Sequence, residues 1–238
     1  MKIALIGYGK MGKAIEDLMP PRGHEAVLKI DEHNRPGLTA EQLREADVAI
    51  EFTGPDSAVD NILLCLDAGI PVVVGSTGWL KKWAQVKKVC EATQGTLLAS
   101  SNFSVGVNIF FALNKRLAAL MNTHPEYAVS VTEIHHTAKR DSPSGTAITL
   151  AEGIIGSLDR KKDWVNHLSD HPEELEIVSE RVDPAPGTHK VRYTSDIDDI
   201  ELIHTAHNRK GFALGALLAA EYIYGKKGIY TMQDVLGI

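Results

Sequence analysis

The stretch KIALIGYGKMG, residues 2–12, sets a short strand-forming run directly against a GxGxxG loop. KIALI is apolar without alternation after its first residue, as a strand covered on both faces must be. GYGKMGKAIEDLM then opens a helix after a glycine turn. Gly7, Gly9 and Gly12 permit the tight turn and let backbone approach a pyrophosphate, with Tyr8, Lys10 and Met11 completing the loop. The next extended run, VLKI at 27–30, ends at Asp31. That acid lies about 20 residues past the loop, where a carboxylate meets a ribose hydroxyl. Strand, loop, helix start and acid together make a dinucleotide fingerprint, which is far more specific than the glycines alone.

Outward from this stretch the alternation repeats. DVAIEFT (47–53), PVVVGST (71–77) and TLLAS (96–100) are strand runs, separated by the helical AVDNILLCLDAG and WLKKWAQVKKVCEAT. They predict an α/β fold, a Rossmann-like doubly wound parallel sheet. Ligands of such sheets lie beyond the carboxyl ends of the strands. The turns Gly75-Ser76-Thr77 and Ser100-Ser101-Asn102-Phe103 fall there and are placed to border the nicotinamide end of a cofactor; alternatively they only cap the helices that follow. Asp31 followed by Glu32 favours NADH, because carboxylates repel a 2′-phosphate. Lys10 and Lys29 could offset that repulsion, which leaves NADPH as a second choice.

Past residue 104 the pattern changes. SNFSVGVNIFFALNKRLAALM is a loop and an amphipathic helix, YAVSVTEIHH is extended, and GTAITLAEGIIGSL is helical. LEIVSERV, THKVRYTS and DIELIHTAH read as a β-meander. FALGALLAAEYIYG is a last helix before a short tail, GIYTMQDVLGI. The expectation is a discontinuous dinucleotide-binding domain, 1–104 with 208–238, and a smaller α+β domain over 105–207.

Within that second domain, residues 135–147 read HHTAKRDSPSGTA. A regular strand would point His135 and His136 to opposite faces, so it must end or bend for both to serve one site. Pro143 restricts the chain before Ser144, a good N-cap, and Gly145-Thr146 open an apolar-periodic helix. Amides at such a helix start, with the Ser144 and Thr146 hydroxyls, suit a carboxylate or phosphate. Cations at His136 and Lys139 would add charge-assisted bonds to the same anion. The stretch reads as an anion-binding helix start with a proton donor beside it.

Composition narrows the classes further. The chain is 44% hydrophobic and 24% charged, with a formal net charge of −6 and no acidic or basic block. That argues against a nucleic-acid or membrane surface, and no run of about 18 apolar residues offers a membrane span. Cys65 and Cys90 form no CxxC or zinc-ligand spacing and sit in helical runs as small core residues. His167, His171, His189, His204 and His207 also lack metal spacing and read as surface or structural, so no metal is expected. Arg209 could reach a carboxylate or simply be solvated. The cysteine usage and the lack of a leader point to a reduced, cytoplasmic protein.

EIHHTAKRDSPSGTA, residues 133–147, resembles the signature of the dihydrodipicolinate reductase family, Glu-x-His-His followed by x-x-Lys-x-Asp-x-Pro-Ser-Gly-Thr-Ala. NFSVGVN (102–108), the glycine loop and the ending GIYTMQDVLGI are similar to that family too, so the likeness spans nearly the whole chain. It implies an NAD(P)H-dependent reductase of lysine and diaminopimelate biosynthesis, acting on the dehydrated cyclic imine derived from 4-hydroxy-tetrahydrodipicolinate. On matching positions it implies His135 as proton donor or acceptor, Lys139 as proton donor, and His136, Ser144, Gly145 and Thr146 as binders of the substrate carboxylates. Residues 7–12, Asp31, the turn at 75–77 and Ser100 to Phe103 would hold the cofactor, and the middle-domain sheets would build a homotetramer. Many members carry Arg after the acid that ends the second strand, where this chain has Glu32. The alternatives are an aspartate dehydrogenase-like nicotinamide enzyme and a non-catalytic NADH-binding sensor. Neither has use for the Lys-x-Asp-x-Pro-Ser-Gly-Thr run.

Overall fold

The computed structural model describes residues 1–208 and 210–238, so Arg209 lies outside the described residues. The chain runs β1 (Lys2–Ile6), α1 (Lys10–Glu16), β2 (Glu25–Ile30), α2 (Ala40–Leu43), β3 (Val48–Glu51), α3 (Pro55–Ala68), β4 (Val72–Val74), α4 (Trp83–Ala92) and β5 (Thr96–Ala99). It continues through α5 (Val105–Met121), β6 (Ala128–His135), α6 (Gly145–Ile155), β7 (Asp163–Val165), β8 (Glu174–Arg181), β9 (Thr188–Thr194) and β10 (Asp199–Thr205). The last elements are α7 (Lys210–Ile223), β11 (Gly228–Tyr230) and α8 (Met232–Leu236). They form two compact units, Met1–Val105 with Arg209–Ile238, and Gly106–Asn208.

The first unit is a six-stranded parallel sheet ordered β11-β5-β4-β3-β1-β2. β3 and β4 are buried at every position, which is why their sequences show no polar alternation. One face is covered by α3 and α4, where Ile62, Leu66 and Val86 pack on Ile6, Ala49 and Val72. The other is covered by α1, α7 and α8, where Ile15, Leu217, Ile223 and Met232 pack on Ile3, Leu5, Ile50 and Leu98. Each such side chain contributes about 1.5–3 kcal/mol when fully buried. The ending is more than a short tail: β11 pairs with β5 as a sixth strand, and Thr231 with Asp234 forms a capping box that starts α8.

The second unit is a five-stranded mixed sheet ordered β10-β9-β6-β8-β7, with α5 and α6 on one face. The meander reading is corrected here. Only β9 and β10 form a hairpin; β8 pairs parallel with β6 on its other side, and β9 pairs antiparallel with β6. α6 and β7 fill the stretch between β6 and β8, and a parallel neighbour needs such a crossover. β6 therefore lies at the centre. Its Val129, Val131, Glu133 and His135 all face the helices, giving a burial period of two.

Candidate active site

In the first unit the strand order reverses between β1 and β3, the switch point at which doubly wound sheets bind ligands. Gly7 turns the chain there with φ +99°, and a Cβ on it would stand 2.2 Å from the Phe52 carbonyl oxygen. No other residue fits. The Gly7 and Tyr8 amides both donate to the Ile30 carbonyl at 2.8 Å, which ties the glycine loop to the end of β2. Asp31 follows immediately, and its Oδ1 accepts the His33 and Asn34 amides at 2.9 and 3.2 Å. Those bonds, Asn34's first, hold its carboxyl below the ordinary range.

Three clefts lie along this edge. One of about 500 Å³ is bordered by Gly7, Gly9, Asp31, Glu32 and Thr53. A second of about 470 Å³ runs from Lys10 and Met11 past Thr53 to Gly75, Ser76 and Thr77. The third, about 540 Å³, joins Ser76 and Thr77 to Ser100 and Ser101. Shared residues make them one track, on which nearly all the sequence-identified cofactor positions meet. Gly12 is buried in α1 behind the loop. Asn102 and Phe103 are also off the track, both buried; the Phe103 ring packs 5.7 Å from that of Phe52 in the core, so this segment offers backbone rather than side chains. A wider groove of about 610 Å³ near Gly95 and Gly228 lies at the amino ends of β5 and β11, the wrong edge for this kind of ligand.

In the second unit β6 stops at His135, so the two histidines part: His135 is buried with the core face, and His136 stands half exposed. Ser144 caps α6, its Oγ accepting the Ala147 amide at 3.2 Å. Gly145 opens the helix beside empty space. Lys139 Nζ lies 2.8 Å from both oxygens of Asp141. The structure thus gathers the sequence-identified Ser144, Gly145, Thr146, His135, His136 and Lys139 around the end of β6 and the start of α6.

At the centre is a carboxylate that the sequence reading quoted but gave no role. Glu133 is fully buried, and both its oxygens accept the Ser144 amide at 3.1 Å. Its Oε1 also accepts the Ser179 hydroxyl at 2.8 Å and Arg181 Nη2 at 3.1 Å. Its Oε2 lies 3.3 Å from His135 Nδ1 and 3.8 Å from His189 Nε2. Strand register explains the gathering, since Glu133 sits opposite His189 on β9 and His135 opposite Arg181 on β8. His189, read as a surface or structural histidine, is 5% exposed, and its ring meets that of His135 edge-on at 5.0 Å. The available signal was Glu133 itself, a charge in the core phase of Val129, Val131, Glu133, His135.

Burial pushes the Glu133 carboxyl up, but the bonds from Ser144, Ser179 and Arg181 outweigh it and its pKa lies below the ordinary value. Burial, partly opposed by Glu133, lowers His135. Burial and the neighbouring His135 push His189 down to about 4. Glu133, His135 and His189 are close enough to chelate a cation. The Glu133 oxygens are already engaged by three donors and the Arg181 charge is at hand, so the cluster is built as a hydrogen-bonded network.

Two family descriptions match the chain: dihydrodipicolinate reductase, N-terminus, over residues 1–103, and dihydrodipicolinate reductase, C-terminus, over residues 106–236. A 4-hydroxy-tetrahydrodipicolinate reductase of Christiangramia forsetii is 47% identical, covering 99% of this chain and 98% of that protein. One of Thermosipho africanus is 34% identical with the same coverage of each. Among solved structures, the dipicolinate-bound dihydrodipicolinate reductase of Paenisporosarcina sp. TG-14 shares the fold, with a TM-score of 0.77, 21% identity and 98% of each chain covered.

Proposed function

The chain belongs to the dihydrodipicolinate reductase family, and from that premise we propose that it reduces the dehydrated cyclic imine of 4-hydroxy-tetrahydrodipicolinate to tetrahydrodipicolinate, in lysine and diaminopimelate biosynthesis. The observation that carries this reading is the meeting of His135 and Lys139 with the Ser144-capped start of α6. On this reading it would set proton-transfer groups beside an anion-binding helix end. The enzyme is an oxidoreductase of the pyridine-nucleotide class.

The first unit fits such a cofactor. Gly7 leaves a cradle that any Cβ would fill, and the cleft track leads from Asp31 to Ser100 and Ser101. Asp31 would bond the ribose, the loop Gly7 to Gly12 the pyrophosphate, and residues 75–77 with 100–103 the nicotinamide end. When bound, the cofactor supplies a hydride. The preference for NADH is our reading of Asp31 and Glu32 together at the ribose end of the track.

The second unit would hold the substrate and build the assembly. Gly145, Thr146, Ser144 and His136 would hold its carboxylates, as helix starts and adjacent cations do. The dianion is thereby fixed in orientation, and positioning of this kind contributes roughly 7–11 kcal/mol in well-oriented cases. Reduction at C4 moves electron density toward the ring nitrogen and leaves C3 to be protonated. Lys139 Nζ would deliver that proton, with His135 accepting or relaying. We read the active form as a cytoplasmic homotetramer; among the described residues no helix is long and apolar enough to cross a membrane.

The test is loss of nicotinamide absorbance on substrate made in situ from pyruvate and aspartate semialdehyde by the upstream synthase. Lys139→Ala should lower kcat about 10²–10⁴-fold, the usual contribution of a general acid, with cofactor binding unchanged. Tight NADH binding without turnover by the parent enzyme would sink the reading.

A further inference from the structure

The reductase reading leaves open how His135 is given one chemical role. A neutral imidazole has two tautomers, and only one leaves Nε2 able to accept a proton. We propose that Glu133 is a positioning residue that fixes His135 as the Nδ1–H tautomer, so that Nε2 is the accepting atom, while the same carboxylate anchors the substrate-binding start of α6. The inference rests on the function proposed above and deepens it.

The geometry supports each half. His135 Nδ1 is buried and lies 3.3 Å from Glu133 Oε2, short of hydrogen-bond alignment, and it makes no hydrogen bond among the described residues. An acceptor there calls for a proton on Nδ1. The contact is long and imperfectly aligned, as catalytic hydrogen bonds often are until substrate tightens them. Nε2 points the other way, toward Gly187, where a Cβ would stand 3.1 Å from it. Glu133 in turn cannot rotate, because Ser179, Arg181 and the Ser144 amide hold it. The Ser144 bond links proton chemistry to binding: the residue that caps α6 is pinned to the carboxylate that orients the base.

The charged and titratable groups facing His135 are Glu133 on its own strand, Arg181 at the end of β8, His189 on β9, and Lys139 and Asp141 of the following loop. Among these, Glu133 and Asp141 favour the imidazolium, and Lys139 and Arg181 oppose it. Burial adds to the opposition, so the ring is neutral and its tautomer matters.

Glu133→Gln tests this with little change of shape. Ser179 and Arg181 both donate to Oε1, so they hold the amide oxygen there and turn the amide nitrogen toward His135 Nδ1. A donor facing Nδ1 demands the opposite tautomer. In a hydrolase triad the comparable acid-to-amide change costs about 10⁴ in kcat. We expect kcat to fall about 10²–10⁴-fold while KM stays within about threefold, since the α6 anchor keeps an acceptor. The acid limb of the pH profile should move to lower pH, because the carboxylate that favours protonation of His135 is gone. Nitrogen-15 NMR of the full-length chain near neutral pH reads the tautomer directly: Nδ1–H in the parent and Nε2–H in the variant. The parent spectrum needs no variant, so poor folding of E133Q would not shield the proposal. An Nε2–H ring in the parent overturns it, as does E133Q retaining parental kcat. A parent enzyme without turnover would instead overturn the reductase reading, and the positioning role with it, even if the Nδ1–H ring were seen.

Discussion

Histidines buried without charge make the second unit sensitive to acid. The His189 ring titrates at about 4 in the folded chain against 6.5 ordinarily. Between these values the unfolded chain takes up a proton that the folded chain refuses. Stability is therefore full above about 6.5 and falls as pH drops toward 4, by an amount on the order of 3 kcal/mol. Glu133, depressed below the usual carboxylate range, adds its own loss as pH falls from about its ordinary value of 4.5. Urea midpoints at neutral pH and near pH 5 should show the slope, and His189→Asn should flatten it; equal midpoints for the parent would contradict the account. Gly187→Ala makes a second prediction. With φ +148° and His135 Nε2 3.1 Å from the added Cβ, it should cost on the order of 1–3 kcal/mol and lower turnover as well, measured by melting and by the absorbance assay. His135 and Lys139 could be singled out from sequence because their run is distinctive. Arg181, Ser179 and His189 could not, because each is an ordinary residue until strand register sets it beside Glu133.

Elements were legible in proportion to their length and periodicity. β1 and its glycine loop give both strand and turn from local chemistry, and α6 announces itself by the Ser144 cap. Pairing was not legible. β8 and β9 are consecutive alternating strands, and nothing local says that β6 lies between them. β7 is three residues in a polar stretch, and β11 three residues between α7 and α8, too short for any pattern to emerge. The α6 cap carries a prediction at this scale. Ser144→Ala removes the acceptor for the Ala147 amide and the 3.1 Å partner of His189 Nε2. It should lower stability by about 0.5–2 kcal/mol and raise KM more than it lowers kcat. A variant altered only in kcat would detach the cap from binding.

For the whole molecule, the proposed assembly can be tested on the sheet face turned away from α5 and α6. Ile134, Val178 and Ile203 lie in its phase, and Ile203 on the edge strand β10 is 57% exposed. Light scattering should give the mass of four chains for the parent, and Ile203→Lys should reduce it. A monomeric parent would remove the tetramer from the proposal.

The helix α7 has a consequence for how the molecule is made. It supplies Ala213, Ala216, Leu217, Ala220 and Ile223 to one face of a sheet whose first five strands lie before residue 100. On the ribosome those strands emerge first and then wait, one side covered by α1 alone, until the whole intervening unit has been synthesised. That unit is continuous in the chain, so it can reach its native state earlier. The nucleotide-binding half, though begun first, is finished last, and its open apolar face is what a chaperone would meet in the interval.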